Sequence, residues 1–289
     1  MPTKNVNKYI IICADDFALN LPISGAIIEL AEKKKITATS CMTNMPLWLK
    51  HSRDLKPLLS NIDIGLHFNL TEGSPLGENK SSLGHDQFFT LPQLLQKAYQ
   101  GKIKKTEVKA ELIAQINAFI KGIGCMPAFI DGHQHIQQFP IIRQAIIEIY
   151  QELNLYQYQS YIRVSSNGLL ASFNQPQKLK AIILTLLGAI SFRRLLVKNN
   201  IPHNTTFSGI YDFSPQLNYA LFFKDCLSQL SDSGILMCHP AHTNNESNDP
   251  IAKSRTKEYD FFIDTLFEDI CYTQKVDLIR FNHAKTTRL

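Results

Sequence analysis

The chain has 289 residues, 44% of them apolar and 19% charged, and its 30 basic and 25 acidic side chains leave a net charge of +5. That length suits a single α/β barrel, and the composition excludes a disordered chain. No acidic residue occurs from Leu153 to Tyr211, where Lys178, Lys180, Arg193, Arg194 and Lys198, with Arg163 as a sixth cation, exceed the whole net charge, so a diffusely basic nucleic-acid binder is excluded as well.

Tyr9–Cys13 reads as a buried strand ending at Asp15-Asp16. Asn20–Lys35 has helical spacing, with Ile23, Ile27, Leu30 and Ala31 on one face. Thr37–Met42 is a β-branched strand, Asp54–Leu59 a helix, and Asp63–Leu66 a strand leading to His67. Gly73–Asp86, with its Gly, Ser, Pro and Asn, is a loop. Leu91–Ile120 is helical, in two pieces split near Gly101. Ala128–Ile130 is a strand running into Asp131-Gly132-His133, followed by a helix over Pro140–Leu153 and a strand at Tyr161–Val164. Gln177–Lys198 is a hydrophobic helical segment and Gly209–Tyr211 a short segment after a polar loop. Then come a helix over Asn218–Leu230, a strand at Gly234–Cys238, a helix over Glu258–Phe267 and a last strand at Val276–Ile279.

Short apolar strands alternating with helices predict a parallel sheet covered by helices, a distorted, closed or partly closed (β/α) barrel in one domain. No G-x-G-x-x-G turn follows the first strand, which argues against a dinucleotide-binding unit. Met1–Lys8 is polar and the longest apolar run, Ala181–Phe192, falls short of the ~20 residues of a membrane-spanning helix, so a cytoplasmic chain is expected. The six cysteines form no C-x-x-C pair and read as reduced thiols.

The chemically notable side chains fall just after the strands: Asp15 and Asp16, His67, then Asp131, His133 and His135, and finally His239, with Arg163 inside its strand. In a parallel barrel these strand ends open on one face, so residues distant in sequence converge there. In an extended chain Asp131, His133 and His135 would share a face. A carboxylate with imidazoles suits a divalent cation, and a second carboxylate suits a general base toward water. Adjacent strand residues point opposite ways, so only a turn could aim both Asp15 and Asp16 at one site. His51, His85, His203, His242 and His283 lie in polar surroundings and are expected at the surface.

CADDFALN, GLHFNLTEGSPL, DGHQHIQQFP and LMCHPA, in that order, resemble the motifs of the YdjC-like carbohydrate deacetylases, the family of chitooligosaccharide deacetylase. SRTKEYDFF at Ser254–Phe262 resembles a further arginine-glutamate motif, and RVSSN with FSGIYDF resembles the hopanoid-biosynthesis-associated branch. The resemblance implies a TIM-barrel-like deacetylase holding one divalent metal, Mg2+ or Zn2+, through Asp16, His67 and His133. It implies Asp15 as base and His239 as acid, with His135 a nearby site residue; from their places on the strands, Asp131, His135 and Arg163 are read toward the substrate, or Arg163 toward a long-range carboxylate. The substrate implied is an N-acetylamino sugar, free or on a glycolipid; alternatives are an inactive sugar-binding barrel and a metal-dependent phosphoesterase. Nucleic acid is not an expected partner, whereas a homodimer stays open. The basic hydrophobic stretch 177–200 is read either as a core helix or as an insertion or lid touching an anionic membrane from the cytoplasmic side. Two residues depart from the family pattern. Ala18 stands where Gly is usual, a change without cost if φ there is negative, and Gln137 stands where another His is frequent.

Overall fold

The computed structural model describes residues 7–78, 81–166, 188–243 and 249–282. Among these residues the strands are β1 (Lys8–Phe17), β2 (Ala38–Cys41), β3 (Asp63–Phe68), β4 (Phe129–Gly132), β5 (Tyr161–Ile162), β6 (Phe207–Ser208), β7 (Gly234–Cys238) and β8 (Val276–Leu278). All pair in parallel in the order β5-β4-β3-β2-β1-β7-β6, with β8 against the start of β1. The sheet curls until its two ends meet in one parallel bridge between Ile162 and His203. There the Asn204 carboxamide stands in for a missing strand: its Oδ1 accepts from Val164 N at 2.8 Å and its Nδ2 donates to Val164 O at 3.0 Å. The expected distorted (β/α) barrel is therefore present, closed on one side by a side chain.

Helices α1 (Leu21–Glu32), α2 (Trp48–Leu55), α3 (Leu91–Tyr99), α4 (Lys105–Ile123), α5 (Ile142–Glu152), α6 (Ile190–Lys198), α7 (Tyr219–Gln229), α8 (Ala252–Ile263) and α9 (Thr265–Thr273) cover it. Among the described residues no helix is long and apolar enough to cross a membrane. Strand alternation divides the core in two. Ile10, Ile12 and Ala14 of β1 pack toward the helices, whereas Ile11 and Cys13 join Phe129, Tyr161, Ile235 and Met237 inside the barrel. Gly65 sits in that inner layer because a Cβ there would come within 2.5 Å of the Phe129 ring.

Two helices differ from the sequence expectation. The helix expected over Asp54–Leu59 begins earlier, at Trp48, and passes into a 3-10 turn over Lys56–Ser60, because Pro57 lacks the N–H that an α-helix would use. The helix expected over Glu258–Phe267 is two helices, broken at extended Asp264, whose carboxylate caps α9 by accepting from Leu266 N at 2.8 Å. Of the stretch 177–200, residues 177–187 lie outside the described residues. In α6, Arg194 and Lys198 are exposed, but Arg193 is half-buried and donates to Ser166 Oγ and Asn204 O.

One face of α4 anchors the loop that follows β3. Glu107, Glu111 and Gln115, four residues apart, share that face. Glu107 accepts from Ser82 N and Oγ, Glu111 accepts from Leu76 N and Gly77 N, and Gln115 exchanges hydrogen bonds with the Asn69 backbone. Nothing in the sequence marks these buried polar residues for this role, because most of their partners are backbone groups of a loop far away in the chain.

Candidate active site

The inner layer of the barrel continues upward into the polar residues. One alternation beyond Cys13, Gly65, Phe129, Tyr161 and Met237 stand Asp15, His67, Asp131, Arg163 and His239. Asp16 would point outward in a regular strand. The pairing of β1 with β2 shifts register between Ala14 and Phe17, and Asp16 takes φ 69°. This bulge is the turn that brings both carboxylates to one site. Ala18 has φ 75°, so the Gly-to-Ala departure does fall in the left-handed region. His51 supports this turn. Contrary to the surface expectation it is 3% exposed, because α2 places it on the inner face beside Trp48, and its Nδ1 lies 2.7 Å from Ser24 Oγ, which also accepts from Ala18 N.

The segment after β4 is not extended. His133–Gln138 forms a 3-10 turn with Gln134 and His135 at φ 53° and 61°. Asp131, His133 and His135 therefore do not share one face. His133 reaches Asp16, whereas His135 turns aside to Ser165 Oγ at 2.9 Å. Gln137 is fully buried, with its Nε2 donating to Ser165 Oγ and Arg163 O, so at this position the chain uses a carboxamide to hold the segment after β5.

Asp15, Asp16, His67, His133, His135 and His239 line one cavity of about 730 Å³. Asp16 Oδ1 lies 3.3 Å from His67 Nε2 and 3.0 Å from His133 Nδ1, while Asp16 Oδ2 accepts from Arg255 Nη2 at 2.7 Å. Asp16, His67 and His133 each offer an atom within 4.8 Å of the others, a spacing that could hold a metal ion. The donor set fits a divalent cation: two imidazoles and a carboxylate, with buried His133 Nε2 lacking a hydrogen-bond partner among the described residues. Asp131 Oδ1 sits 2.6 Å from His67 Nδ1, which leaves Nε2 facing Asp16, as metal-binding histidines are commonly oriented.

Asp131 and Arg163, expected toward the substrate, are both 0% exposed and lie behind the cavity wall. Arg163 donates to both Asp15 oxygens at 2.6 Å and contacts Asp131 at 3.0 Å. Burial pushes the Asp15 carboxyl up, but Arg163 together with His67 and His239 reverses this and holds the group below the usual carboxylate range. Burial likewise raises Asp16, and Arg255 and His133 reverse this. Burial lowers His67, but Asp131 and Asp15 raise it to about 10, the mark of a pocket that favours positive charge. Burial lowers His239 to about 4 and His135 to about 3.

The arginine and glutamate of the Ser254–Phe262 motif stand on α8 beside the site. Arg255 joins Asp16 to Asp249, and Glu258, fully buried, accepts from His239 N. Burial raises Glu258 to about 7 despite its bonds to Tyr211 and His239.

These features define a parallel α/β barrel with an Asp-His-His cluster and a neighbouring ionised carboxylate in the cavity at its C-terminal mouth. The chain belongs to the YdjC-like protein family, whose model matches residues 9–272. It is similar to a carbohydrate deacetylase of Danio rerio, at 31% identity over 57% of this chain and 51% of the relative. It is similar to chitooligosaccharide deacetylases of Proteus mirabilis, at 32% over 50% of this chain and 55% of the relative, and of Escherichia fergusonii, at 25% over 83% and 84%. The chain thus spans about half the length of the first two relatives. Among solved structures, a protein of Enterococcus faecalis V583 assigned to cellobiose-phosphate cleavage superposes with TM-score 0.72 at 19% identity, covering 96% of this chain and 98% of that one. The Bc1960 peptidoglycan N-acetylglucosamine deacetylase superposes with TM-score 0.53 at 9% identity, covering 98% and 89%. At these identities the likeness concerns the fold.

Proposed function

We propose that this protein is a metal-dependent carbohydrate deacetylase that hydrolyses the acetamide C–N bond of an N-acetylamino sugar. The observation that carries the reading is the Asp16-His67-His133 cluster with the Asp15 carboxylate beside it in the same cavity. The names of the relatives point the same way. Asp16, His67 and His133 would hold one divalent ion, Zn2+ or Mg2+, which when bound supplies Lewis-acid polarisation of the acetyl carbonyl and an acidified water.

Asp15, kept ionised by Arg163, takes the proton from the attacking water. A carboxylate held this low is a weak base, so it serves only a water already made acidic. The proton that Asp15 takes passes by way of the neutral His239 imidazole to the leaving nitrogen as the C–N bond breaks, which yields acetate and the free amine. Arg163 and Asp131 act from behind the wall by orienting Asp15 and His67.

Leu19, Ile210, Phe213, Pro250 and Ile251 give the cavity an apolar side, which supports the finer reading of a sugar carried on an apolar aglycone such as a hopanoid. The same reading places the protein in the cytoplasm as one barrel domain, its stretch 177–200 contacting an anionic membrane through cations such as the exposed Arg194 and Lys198.

Acetate release is measured from soluble N-acetylchitooligosaccharides and from an N-acetylglucosaminyl lipid, with Zn2+- or Mg2+-loaded protein. Wild type is expected to release acetate and Asp15→Asn to lose about 10²–10⁴-fold in rate. No release from either substrate by the loaded wild type would overturn the proposal.

A further inference from the structure

The His239 imidazole is poorly anchored for a proton donor. Its buried Nδ1 has no hydrogen-bond partner among the described residues, and its ring meets the Phe213 ring edge-on at 5.2 Å. Among the described residues, what orients His239 is its main chain and that ring. Both lead to the same residue. His239 is the first residue past the end of β7, so its amide has left the strand ladder, and it donates instead to Glu258 Oε2 at 2.5 Å. Glu258 Oε1 accepts from the Tyr211 hydroxyl at 2.5 Å, and the Tyr211 ring packs on Phe213 at 4.6 Å. Tyr219 OH adds a third donor at 3.3 Å.

Three residues before Glu258, on the same face of α8, Arg255 donates to Asp16 at 2.7 Å. Both are buried, at 0% and 3% exposure. One helix thus grips the carboxylate of the metal-type cluster with a cation and the backbone of His239 with an anion.

We infer that Glu258 is a positioning residue for His239, through which α8 sets the placement of the proton donor relative to the Asp16-His67-His133 cluster. It touches no reacting atom and works by two routes, the His239 amide and the Tyr211–Phe213 ring pair. The inference rests on the deacetylase reading for its kinetic consequence alone.

The test compares wild type, Glu258→Ala, Glu258→Gln and Tyr211→Phe. Each is assayed for metal content, for kcat and KM in acetate release, and for its histidine side-chain resonances by ¹H–¹⁵N NMR, with His239 assigned through His239→Gln. Glu258→Ala leaves the His239 amide unpaired. It should lower kcat about 10- to 100-fold with KM within about threefold, and should move the His239 resonance while His67 and His133 and the metal content stay unchanged. Glu258→Gln still offers an oxygen to that amide and should recover to within about fivefold of wild type. Tyr211→Phe severs the ring route alone and should lower kcat by about 3- to 10-fold with a moved His239 signal, a result that stands even where Glu258→Ala does not fold.

An unmoved His239 resonance in Glu258→Ala and Tyr211→Phe would overturn the inference. So would a general loss of metal with all three histidines shifting in both variants, which makes the contact a prop for the whole site. Absence of acetate release by the wild type would sink the deacetylase reading, while the resonances would still decide the role of Glu258.

Discussion

Glu107 offers a prediction whose size and pH dependence follow from the structure. It is 6% exposed on α4, and its carboxylate receives Ser82 N at 2.7 Å, Ser82 Oγ at 2.8 Å and Ser81 Oγ at 3.0 Å. Burial pushes the carboxyl up, but these bonds outweigh it and lower the group from 4.5 to about 2. Lys104 adds to the lowering, but its ammonium is largely exposed and screened by solvent, so the figures that follow are upper values. A carboxyl depressed in the folded state contributes stability that is fully present above its unfolded pKa and is lost as the pH falls through its folded pKa. The interval from 4.5 to about 2, at about 1.4 kcal/mol per pH unit, gives about 3 kcal/mol at pH 7 and about 1.5 kcal/mol at pH 3.

Glu107→Gln should therefore cost about 3 kcal/mol in urea unfolding at pH 7, and the gap to wild type should narrow by about half toward pH 3. Hydrogen exchange should rise first around Ser81 and Ser82. A gap that stays constant with pH, or no loss at pH 7, would refute the reasoning, since either result means that the ionised carboxylate is not what holds this loop.

Gly209→Ala should destabilise strongly. Gly209 has φ 104°, and a Cβ would lie 2.2 Å from Met237 O, so backbone must move, at a cost of about 3 kcal/mol or more. A melting temperature within about 2 °C of wild type would contradict this, since ~3 kcal/mol is worth about 6–12 °C in a chain of this size. Asp131→Asn removes the charge that orients His67 without touching the cation, and should weaken Zn2+ affinity about 10- to 100-fold in a competition titration. Asp16→Asn, a change at a candidate ligand, should weaken it further. Equal affinity for Asp131→Asn and wild type would refute the orienting role.

The sequence by itself determined every described strand but the two-residue β6, because each of the others is a short apolar or β-branched run. It also determined the convergence of Asp15, His67, Asp131, Arg163 and His239, because strand alternation and parallel topology leave those positions little freedom once Ile11, Phe129 and Met237 are inside. Local order carried that information, and it was legible without a partner. What the tertiary structure alone decided was which of those residues face the cavity and which stand behind it. Arg163 reads like a substrate-binding cation until Asp15, 148 residues away, closes on it. Asp131 reads like a ligand until Arg163 and His67 occupy its oxygens. His51 reads like a surface residue until α2 turns it onto Phe17, and Glu258 is one acid on a mixed helix until the His239 amide arrives. The aim of Asp16 likewise depends on a left-handed bulge that no residue type announces, since the neighbouring position is Ala18 rather than Gly. In each case the deciding interaction is a buried polar contact between segments far apart in the chain. Burial makes such a contact obligatory, yet nothing local in the sequence names the partner.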